Sequence, residues 1–501
     1  MINTTDMTDT TDTTDTTDTT DTDAIEMTDM PGPRGRLRCT LRMASDPVHA
    51  VRRWRAEYGD TFRVPLFGAD WVITGDPERA RQLFANRDPE LFLAGLPEPA
   101  GRLLGIRSLF SQTGDEHSRS RKLMLPPFHG ERMRAWSRTM ASAGRQAFAS
   151  AGDRPVRAID LTRETTLDVI VRLVFGVHDE RRRERVREAV VRWLDAVDPI
   201  LLFVPMLQRD WLGLSPYARL RRRSEQLDLL LREQIAATRA AATPADDVLT
   251  MLVAARHDDG SGMNGMNGMN GMNGMNGMNG MSDDELVDNL RALLFAGHDT
   301  AAISLAWAIE LVHRHPEVLA RLRAELDALG PAAEPDALAR LPWLGAVIDE
   351  TLRLRPAVGD TMRTLARPWK FGDWLLPANT VVSVNMFLLH ADERHWQQPE
   401  EFRPERFLAG PPSANVFAPF GGGSRRCLGA SFARQQIAIV LATLLREFEF
   451  ELLGEPSEWT RGRVLLEPRG GVELRVRPRL PASSAAAPTR FETLYPGPNP
   501  S

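Results

Sequence analysis

The sequence has 501 residues, of which 43% are hydrophobic and 26% charged, and this balance is that of a globular protein rather than a disordered or fibrous one. Two cysteines, Cys39 and Cys427, are too few for a disulfide framework. Residues 1–30 carry nine acids and no base, so the remaining chain has 62 bases and 58 acids, a net charge of +4 that is far below that of a nucleic-acid-binding protein.

Three segments have compositions that do not favour folded elements. Residues 1–30 contain a Thr-Thr-Asp repeat and are predicted to be disordered, residues 262–281 carry a Gly-Met-Asn repeat typical of a flexible linker, and residues 481–501 form a predicted flexible tail. A methionine-rich Cu(I) site is a weaker interpretation of the second repeat, because no His or Cys accompanies it. The start of the chain shows no basic segment with an apolar run, so we expect no signal peptide, no membrane anchor and a cytoplasmic protein.

Residues 31–480 are predicted to form a single domain of mainly α structure with small β-sheets. Strand patterns occur at 62–65, 71–74 and 381–385. Helical patterns cover 157–176, 180–196, 215–242, 282–314, 316–329, 343–354 and 428–447.

The segment 282–314 is the longest helical pattern. It opens with a capping box, Ser282-x-x-Glu285, and it is apolar enough to suggest a membrane span. The polar residues His298, Asp299 and Glu310 favour instead a helix buried in a large core.

Cys427 lies in a glycine-rich segment that runs from Phe420 to Gly429, directly before an apolar helix. The glycines allow the backbone to approach a flat group closely. The helix N-terminus and the neighbouring Arg425 and Arg426 favour the thiolate, which would be a metal ligand or a nucleophile. A buried, inert cysteine is the alternative.

The spacing Phe420-x-x-Gly423-x-Arg425-x-Cys427-x-Gly429 resembles the haem-binding signature of the cytochrome P450 family, the haem-thiolate monooxygenases. The resemblance covers about 31–480. It implies the P450 fold, with haem b held between the long central helix and the helix after the cysteine, and it implies that Cys427 is the axial ligand of the iron.

Another segment matches the family in the middle of the long helix, Ala296-Gly297-His298-Asp299-Thr300. The resemblance places Ala296 and Gly297 beside the haem and implies that Asp299 and Thr300 are the catalytic acid–alcohol pair that handles protons. His298 occupies the variable position of the motif. A misread turn or N-cap is the alternative.

Basic residues predict the site for the two haem propionates. His117-x-x-x-Arg121 places two donors on one helix face. The resemblance adds Arg363 and Arg425 as further propionate contacts. A solvated helix surface is the alternative for His117 and Arg121.

Glu350-x-x-Arg353 places two opposite charges on one helix face, and Pro404-Glu405-Arg406-Phe407 follows at a suitable distance. The resemblance implies that Glu350, Arg353 and Arg406 form one buried network behind the haem. These residues are predicted to support the fold and not to catalyse, because a network of charges can be buried where a single charge cannot.

The resemblance implies a monooxygenase that inserts one atom of dioxygen into an apolar organic substrate, fatty acyl, terpenoid or polyketide-like. Electrons are expected from NAD(P)H through a reductase and a ferredoxin or flavodoxin. The donor is expected to dock on the cysteine side of the haem, at four basic residues, Arg119, Lys122, Arg426 and Arg434. No nucleic acid is expected as a partner, because glutamates interleave the arginine runs at 181–187 and 219–223.

Several alternatives stay open. A peroxide-using or non-oxygenating enzyme of the same fold, or a haem protein that only binds a ligand, would also contain Cys427, but such proteins do not need Asp299 and Thr300. A di-iron oxygenase needs two Glu-x-x-His motifs, and the chain offers only Glu310-x-x-His313. The predicted substrate pocket is apolar and draws on 11 residues: Phe92, Leu93, Leu96, Leu103, Leu104, Ile106, Phe110, Leu293, Leu294, Val358 and Met362.

Overall fold

The chain is mainly α-helical with small β-sheets, as predicted. Most of the N-terminal repeat, the Gly-Met-Asn repeat and the C-terminal tail lie outside the described residues, and these predictions stay predictions. The computed structural model describes residues 25–94, 101, 104–130, 132–197, 209–210, 215–256, 280–410, 412–463 and 465–479.

Each long helix predicted from the hydrophobic pattern is present, with ends that differ by a few residues. The predicted helix 157–176 is α-helical to Val169 and continues as one π-helical segment, Ile170–Val174. The α-helices in the described chain are Arg36–Ser45, Pro47–Tyr58, Pro77–Ala85, Gly114–Met124, Arg132–Ala135, Ser137–Ala149, Ala158–Val169, Glu180–Leu194, Pro216–Ala240, Val248–Ala254, Asp283–Arg314, Pro316–Ala328, Pro335–Leu338, Pro342–Leu354, Met386–Leu389 and Ala430–Glu447.

The strands form small sheets at the edges of the helical body. The strands are β1 Ile25–Glu26, β2 Thr61–Pro65, β3 Asp70–Thr74, β4 Val156–Arg157, β5 Asp360–Thr364, β6 Trp369–Phe371, β7 Trp374–Leu376, β8 Val381–Asn385, β9 Phe448–Leu452, β10 Trp459–Arg461, β11 Leu466–Pro468 and β12 Glu473–Pro478. The largest sheet has the order β2-β3-β8-β5, with β3 and β8 parallel and the other pairs antiparallel. The other sheets have the orders β1-β7-β6, β4-β12-β9 and β10-β11.

Residues 25–30 are part of the folded body, although the predicted domain boundary is at residue 31. Strand β1 pairs in parallel with β7, and Met27 and Met30 are 6% and 5% exposed. These two methionines bury apolar surface in a second core beside the sheets, so the prediction of disorder is wrong for residues 25–30, where apolar burial outweighs the acidic composition.

The helix Asp283–Arg314, called the central helix below, passes through the main core. The predicted capping box is present: the Glu285 amide donates to the Ser282 hydroxyl, and the Ser282 amide donates to the Glu285 carboxylate. Among the described helices it is the one long and apolar enough to span a membrane, but 67% of its most apolar window is buried inside the protein. The helix is therefore a core helix, as predicted.

The helix Pro342–Leu354 is tied to the segment that precedes the cysteine by buried charges. The Arg353 guanidinium donates to both carboxylate oxygens of Glu350 at 2.7 and 2.9 Å, and Arg406 donates to Glu350 at 3.0 Å. The side chains of Glu350 and Arg353 are 0% and 1% exposed. Arg353 also donates to the carbonyls of His390 and Glu401, so its remaining donors are satisfied.

Loss of Glu350 tests whether this network holds the fold. Glu350→Ala should lower the free energy of unfolding by about 3–5 kcal/mol, because Arg353 would stay buried without its partner. Urea unfolding followed by circular dichroism measures the change. Glu334→Ala is the matched control, since it removes a carboxylate from an exposed pair with Arg138 and should change stability very little. Equal stability of both variants would contradict the prediction.

Candidate active site

The glycine-rich segment forms a closed loop in front of the helix Ala430–Glu447, which is called the Cys-loop helix below. The Cys427 amide donates to the Phe420 carbonyl at 3.0 Å, and the Gly429 amide points at the Cys427 thiol. At Gly422 and Gly423 a Cβ would overlap Phe84. Two of the three glycines therefore accommodate Phe84 of helix Pro77–Ala85, a contact that the sequence did not predict.

Cys427 is exposed to solvent but packed against neighbouring protein. Its side chain is accessible to solvent, and yet the surrounding protein desolvates the thiol and raises its pKa. The Gly429 amide, Arg121 and Arg426 act in the opposite direction and do not offset burial. The expectation that this loop stabilises a thiolate is therefore wrong for the polypeptide alone; a coordinated metal would deprotonate the thiol.

Four predicted cofactor residues form one basic cluster, His117, Arg121, Arg363 and Arg425. Burial is the main reason that the pKa of His117 is lowered to about 4 and the pKa values of Arg363 and Arg425 to about 10, and repulsion from neighbouring arginines contributes to these values. In the described part of the chain no carboxylate pairs with these arginines, whose guanidinium groups donate to backbone carbonyls instead, among them Gly422, Leu109 and Gln112. The three arginines are therefore half-buried positive charges that no carboxylate of the described residues neutralises.

One face of the central helix is partly accessible, although most of the helix is buried. Leu293, Ala296, Gly297 and Thr300 are half-buried and follow i, i+3, i+4, i+7 spacing, whereas Leu294 on another face is fully buried. A Cβ on Gly297 would meet a single atom of Ile170 within 4 Å. This stripe of mostly small or apolar side chains borders open space.

These three features fit haem b. The accessible thiol of Cys427 can bind a soft or borderline metal ion, the basic cluster can neutralise two carboxylates, and the open stripe of the central helix leaves room for a flat group. The residues that would hold the cofactor are those predicted: His117, Arg121, Ala296, Gly297, Arg363, Phe420, Arg425, Cys427 and Gly429.

The two predicted catalytic residues differ in their surroundings. The Thr300 hydroxyl donates to the Ala296 carbonyl at 2.7 Å, so it stays on the accessible stripe. Asp299 accepts a hydrogen bond from Arg163 at 2.8 Å, and Arg163 also bridges to Glu467 at 2.5 Å. Burial tends to raise the pKa of Asp299, but His298 and Arg163 lower it below its usual value, so the carboxylate is ionised.

His298, which the motif leaves variable, has a defined position. It is 3% exposed, its Nδ1 lies 3.0 Å from the Thr166 hydroxyl, and its Nε2 lies 3.9 Å from Asp299. Burial lowers its pKa to about 4, so the ring is neutral near pH 7. His298 therefore sits beside the acid as a neutral polar group.

Some predicted pocket residues belong to the cores instead. Leu104 and Leu294 are 1% and 0% exposed in the main core, and Phe92 packs on Trp369 in the second core. Short apolar runs cannot distinguish a pocket wall from a core, which explains the error. Leu96 and Leu103 lie outside the described residues.

Sequence reasoning missed two residues that position the site. Arg163 had no motif that could identify it. His390 is fully buried and links the Arg353 carbonyl to the Ala418 amide, so it connects the charge network to the start of the Cys loop. An isolated histidine in a helical turn gave no signal of this role.

Comparisons with known proteins support the resemblance. The sequence profile of the family described as Cytochrome P450 matches residues 36–473. Cytochrome P450 137 of Mycobacterium tuberculosis is 32% identical over 464 residues, 90% of each chain, and cytochrome P450 135B1 of the same species is 34% identical over 474 residues, 92% of this chain and 93% of the relative.

Solved structures give the same result. Retinoic acid-bound cyanobacterial CYP120A1 aligns with a TM-score of 0.73 at 26% identity and covers 88% of this chain and 96% of its own. The haem domain of cytochrome P450DA aligns with a TM-score of 0.75 at 21% identity, covers 90% of this chain and 98% of its own, and shows likeness of fold alone.

Removal of Arg163 tests the electrostatic arrangement around Asp299. Arg163→Met should raise the pKa of His298 above about 4, because a nearby positive charge is lost while Asp299 remains. Imidazole ¹⁵N chemical shifts measured against pH report this value without turnover. Arg157→Met is the control: it removes an exposed arginine of the same region that pairs with Asp160, and it should leave the His298 titration unchanged. An unshifted His298 titration in Arg163→Met would refute the arrangement.

Proposed function

This chain belongs to the cytochrome P450 family, and on that premise we propose that it is a monooxygenase that inserts one atom of dioxygen into an apolar organic substrate and reduces the other atom to water. The cofactor of the family is haem b. When bound, haem b supplies the iron at which dioxygen is activated with two electrons. The overall reaction also consumes two protons, which the protein must deliver.

The observation that carries the proposal is the pairing of an accessible Cys427 thiol with an unneutralised basic cluster. Cys427 is proposed as the axial ligand. Arg121, Arg363 and Arg425 would bind the propionates, and His117, neutral at pH 7, would donate a hydrogen bond beside them. Binding the dianion would remove the mutual repulsion of the arginines and stabilise the fold.

Asp299 and Thr300 are proposed to handle protons. Thr300 keeps its hydroxyl on the accessible stripe, and Asp299, which is 15% exposed, is linked through Arg163 to Glu467 at 18% exposure. These partly exposed polar side chains connect the central helix to strand β11, and the acid–alcohol pair favours a dioxygen-using enzyme over a peroxide-using one, which would not need proton delivery.

The substrate is proposed to be apolar, of the fatty acyl, terpenoid or polyketide-like class. Leu293 and Phe295 are half-buried apolar residues of the central helix, and Met362 is a half-buried apolar residue of strand β5. The structural neighbour CYP120A1 is described as bound to retinoic acid, an apolar terpenoid acid. A screen of such ligands by displacement of water from the haem iron would identify the class.

Electrons are proposed to come from NAD(P)H through a reductase and a ferredoxin or flavodoxin in the cytoplasm. Arg119, Lys122 and Arg426 are exposed near the Cys loop, where Arg121 donates to the Arg426 carbonyl. Arg434 is less suited to bind the donor than expected, because it forms an ion pair with Asp349 that neutralises its charge. A cavity of about 550 Å³ opens beside the loop and includes Arg426 in its wall.

The ferrous–CO spectrum tests the axial ligand. The wild-type protein should show the strongly red-shifted Soret band of thiolate ligation, because Cys427 would donate its charge to the iron. Cys427→Ser should lose this band. Cys39→Ser is the control, since Cys39 is 2% exposed in another core and should keep it. A wild-type ferrous–CO spectrum typical of imidazole ligation would contradict the proposal.

Loss of the Thr300 hydroxyl tests proton handling. Thr300→Ala should divert electrons from product to hydrogen peroxide and lower product formation by roughly 10²-fold, because a positioned proton donor is lost. Thr300→Ser keeps the hydroxyl and should retain most of the coupling. The measurement is the ratio of product to NAD(P)H consumed. Unchanged coupling in Thr300→Ala would count against the role.

Charge reversal tests the donor face. Arg426→Glu should slow reduction by a ferredoxin at low ionic strength by about tenfold, and the wild-type rate should fall as salt rises, because complementary charge mainly raises the association rate. Arg181→Glu reverses an exposed arginine on helix Glu180–Leu194 and serves as the control. If neither salt nor Arg426→Glu changes the rate of reduction, the donor docks elsewhere.

A further inference from the structure

The helix Arg36–Ser45, called the first helix below, rests on the largest sheet by one face. Cys39 on that face is 2% exposed. The Arg36 guanidinium donates to the Leu66 carbonyl at 2.6 Å, and the Phe67 amide donates to the Thr40 hydroxyl at 3.0 Å. These contacts fix the rotation of the helix and therefore decide which residues point to solvent.

The outer face exposes large apolar side chains. Leu37 and Leu41 are 60% and 59% exposed and lie one turn apart, and Phe67 in the neighbouring β2–β3 turn is 62% exposed. Thr40 accepts the hydrogen bond from the Phe67 amide and so fixes the position of the β2–β3 turn. Because successive residues of a helix are rotated by about 100°, Thr40 lies on the side of the helix next to Leu37. The three side chains therefore follow one another around the surface, and they are called the apolar strip below.

A row of arginines borders the apolar strip. Arg38 and Arg42 lie on the outer face beyond Leu41, at the same spacing of one turn, and Arg34 precedes the helix. Within the described ranges none of these three arginines forms an ion pair. Arg461 adds a further positive charge, because it donates to the Ala44 and Met43 carbonyls at the end of the helix.

The acids near the first helix do not neutralise this row. Asp70 pairs with Arg36 at 2.8 Å and with Arg63 at 2.7 Å. Asp46 lies after the helix, where it caps the next helix and contacts His49 at 2.8 Å. The exposed surface is therefore apolar on one side and positive on the other.

We propose that the apolar strip and its row of arginines bind the surface of an anionic phospholipid bilayer, with the leucines and Phe67 entering the headgroup boundary and the arginines contacting lipid phosphates. A helix with leucines beside arginines is the pattern of interfacial helices. Two signals together, apolar and electrostatic, give stable attachment where either alone would be marginal. The protein would lie on the membrane and not span it.

Other occupants fit this surface less well. A second copy in a twofold dimer would bring the same arginine row against itself. Residues 1–24 carry seven aspartates and could complement the arginines, but that segment has few apolar side chains to cover the leucines and Phe67. An anionic bilayer satisfies both halves of the surface.

The inference does not depend on the proposed reaction, although it extends it. An apolar substrate concentrates in a bilayer, so a membrane-bound enzyme would meet it there. Because the test measures binding and not turnover, failure of the membrane proposal and failure of the monooxygenase proposal give different results.

The test is co-sedimentation of the full-length haem-loaded protein with vesicles of phosphatidylcholine, with and without phosphatidylglycerol. Binding should require phosphatidylglycerol and weaken with salt. Arg38→Glu and the double variant Leu37→Asn, Leu41→Asn should each bind these vesicles at least about tenfold more weakly than the wild type. The matched controls are Arg181→Glu and Leu229→Asn; Leu229 is 64% exposed on helix Pro216–Ala240, and both controls should bind as the wild type does.

Several results would overturn the proposal. One is that the full chain does not bind phosphatidylglycerol vesicles. This holds even if a variant without residues 2–24 binds them, since residues 2–24 would then be the occupant that covers the apolar strip. Another is equal loss of binding in the controls. A third is a dimer in light scattering that the Leu37, Leu41 double variant converts to a monomer. Circular dichroism melting and haem content of each variant show that it is folded, so that weaker binding can be assigned to the surface.

Discussion

The basic cluster of Arg121, Arg363 and Arg425 is the constraint on which the account of this protein depends. The cluster joins three distant parts of the chain: helix Gly114–Met124, strand β5 and the Cys loop. Partly desolvated arginines that repel one another destabilise a fold unless an anion binds to them. The fold therefore leaves positive charge unneutralised near the accessible thiol of Cys427, and the proposed binding of a dianionic haem would neutralise it.

The charge network behind the loop differs from the basic cluster, because its charges are paired. Glu350, Arg353 and Arg406 are buried with their charges paired, and so they can fix the geometry without a ligand. His390 extends this network to the amide of Ala418, just before the loop. The paired network thus provides a stable frame, and the unpaired cluster would provide binding energy for the cofactor. The two differ because the buried carboxylate of Glu350 pairs with the arginines of the network, whereas no carboxylate of the described residues pairs with those of the cluster.

Much of the fold could be predicted from the sequence, because the long helices have strong apolar periodicity and the capping box at Ser282 is local. Cys427, Asp299 and Thr300 could be proposed as site residues because their motifs are short and continuous in sequence. Arg163 and Phe84 were not, since each reaches the site across the fold and only tertiary packing places it there. The thiolate expectation failed because neighbours in sequence cannot report burial, which dominates the pKa of Cys427.

The most direct test compares haem with its dimethyl ester, which has the same ring and iron but no carboxylates. If the unneutralised arginines are the main source of binding energy, haem should raise the melting temperature of the apoprotein by several degrees more than the ester does. Arg363→Met should reduce that difference, because one of the cations is removed. Equal stabilisation by haem and its dimethyl ester would contradict the account.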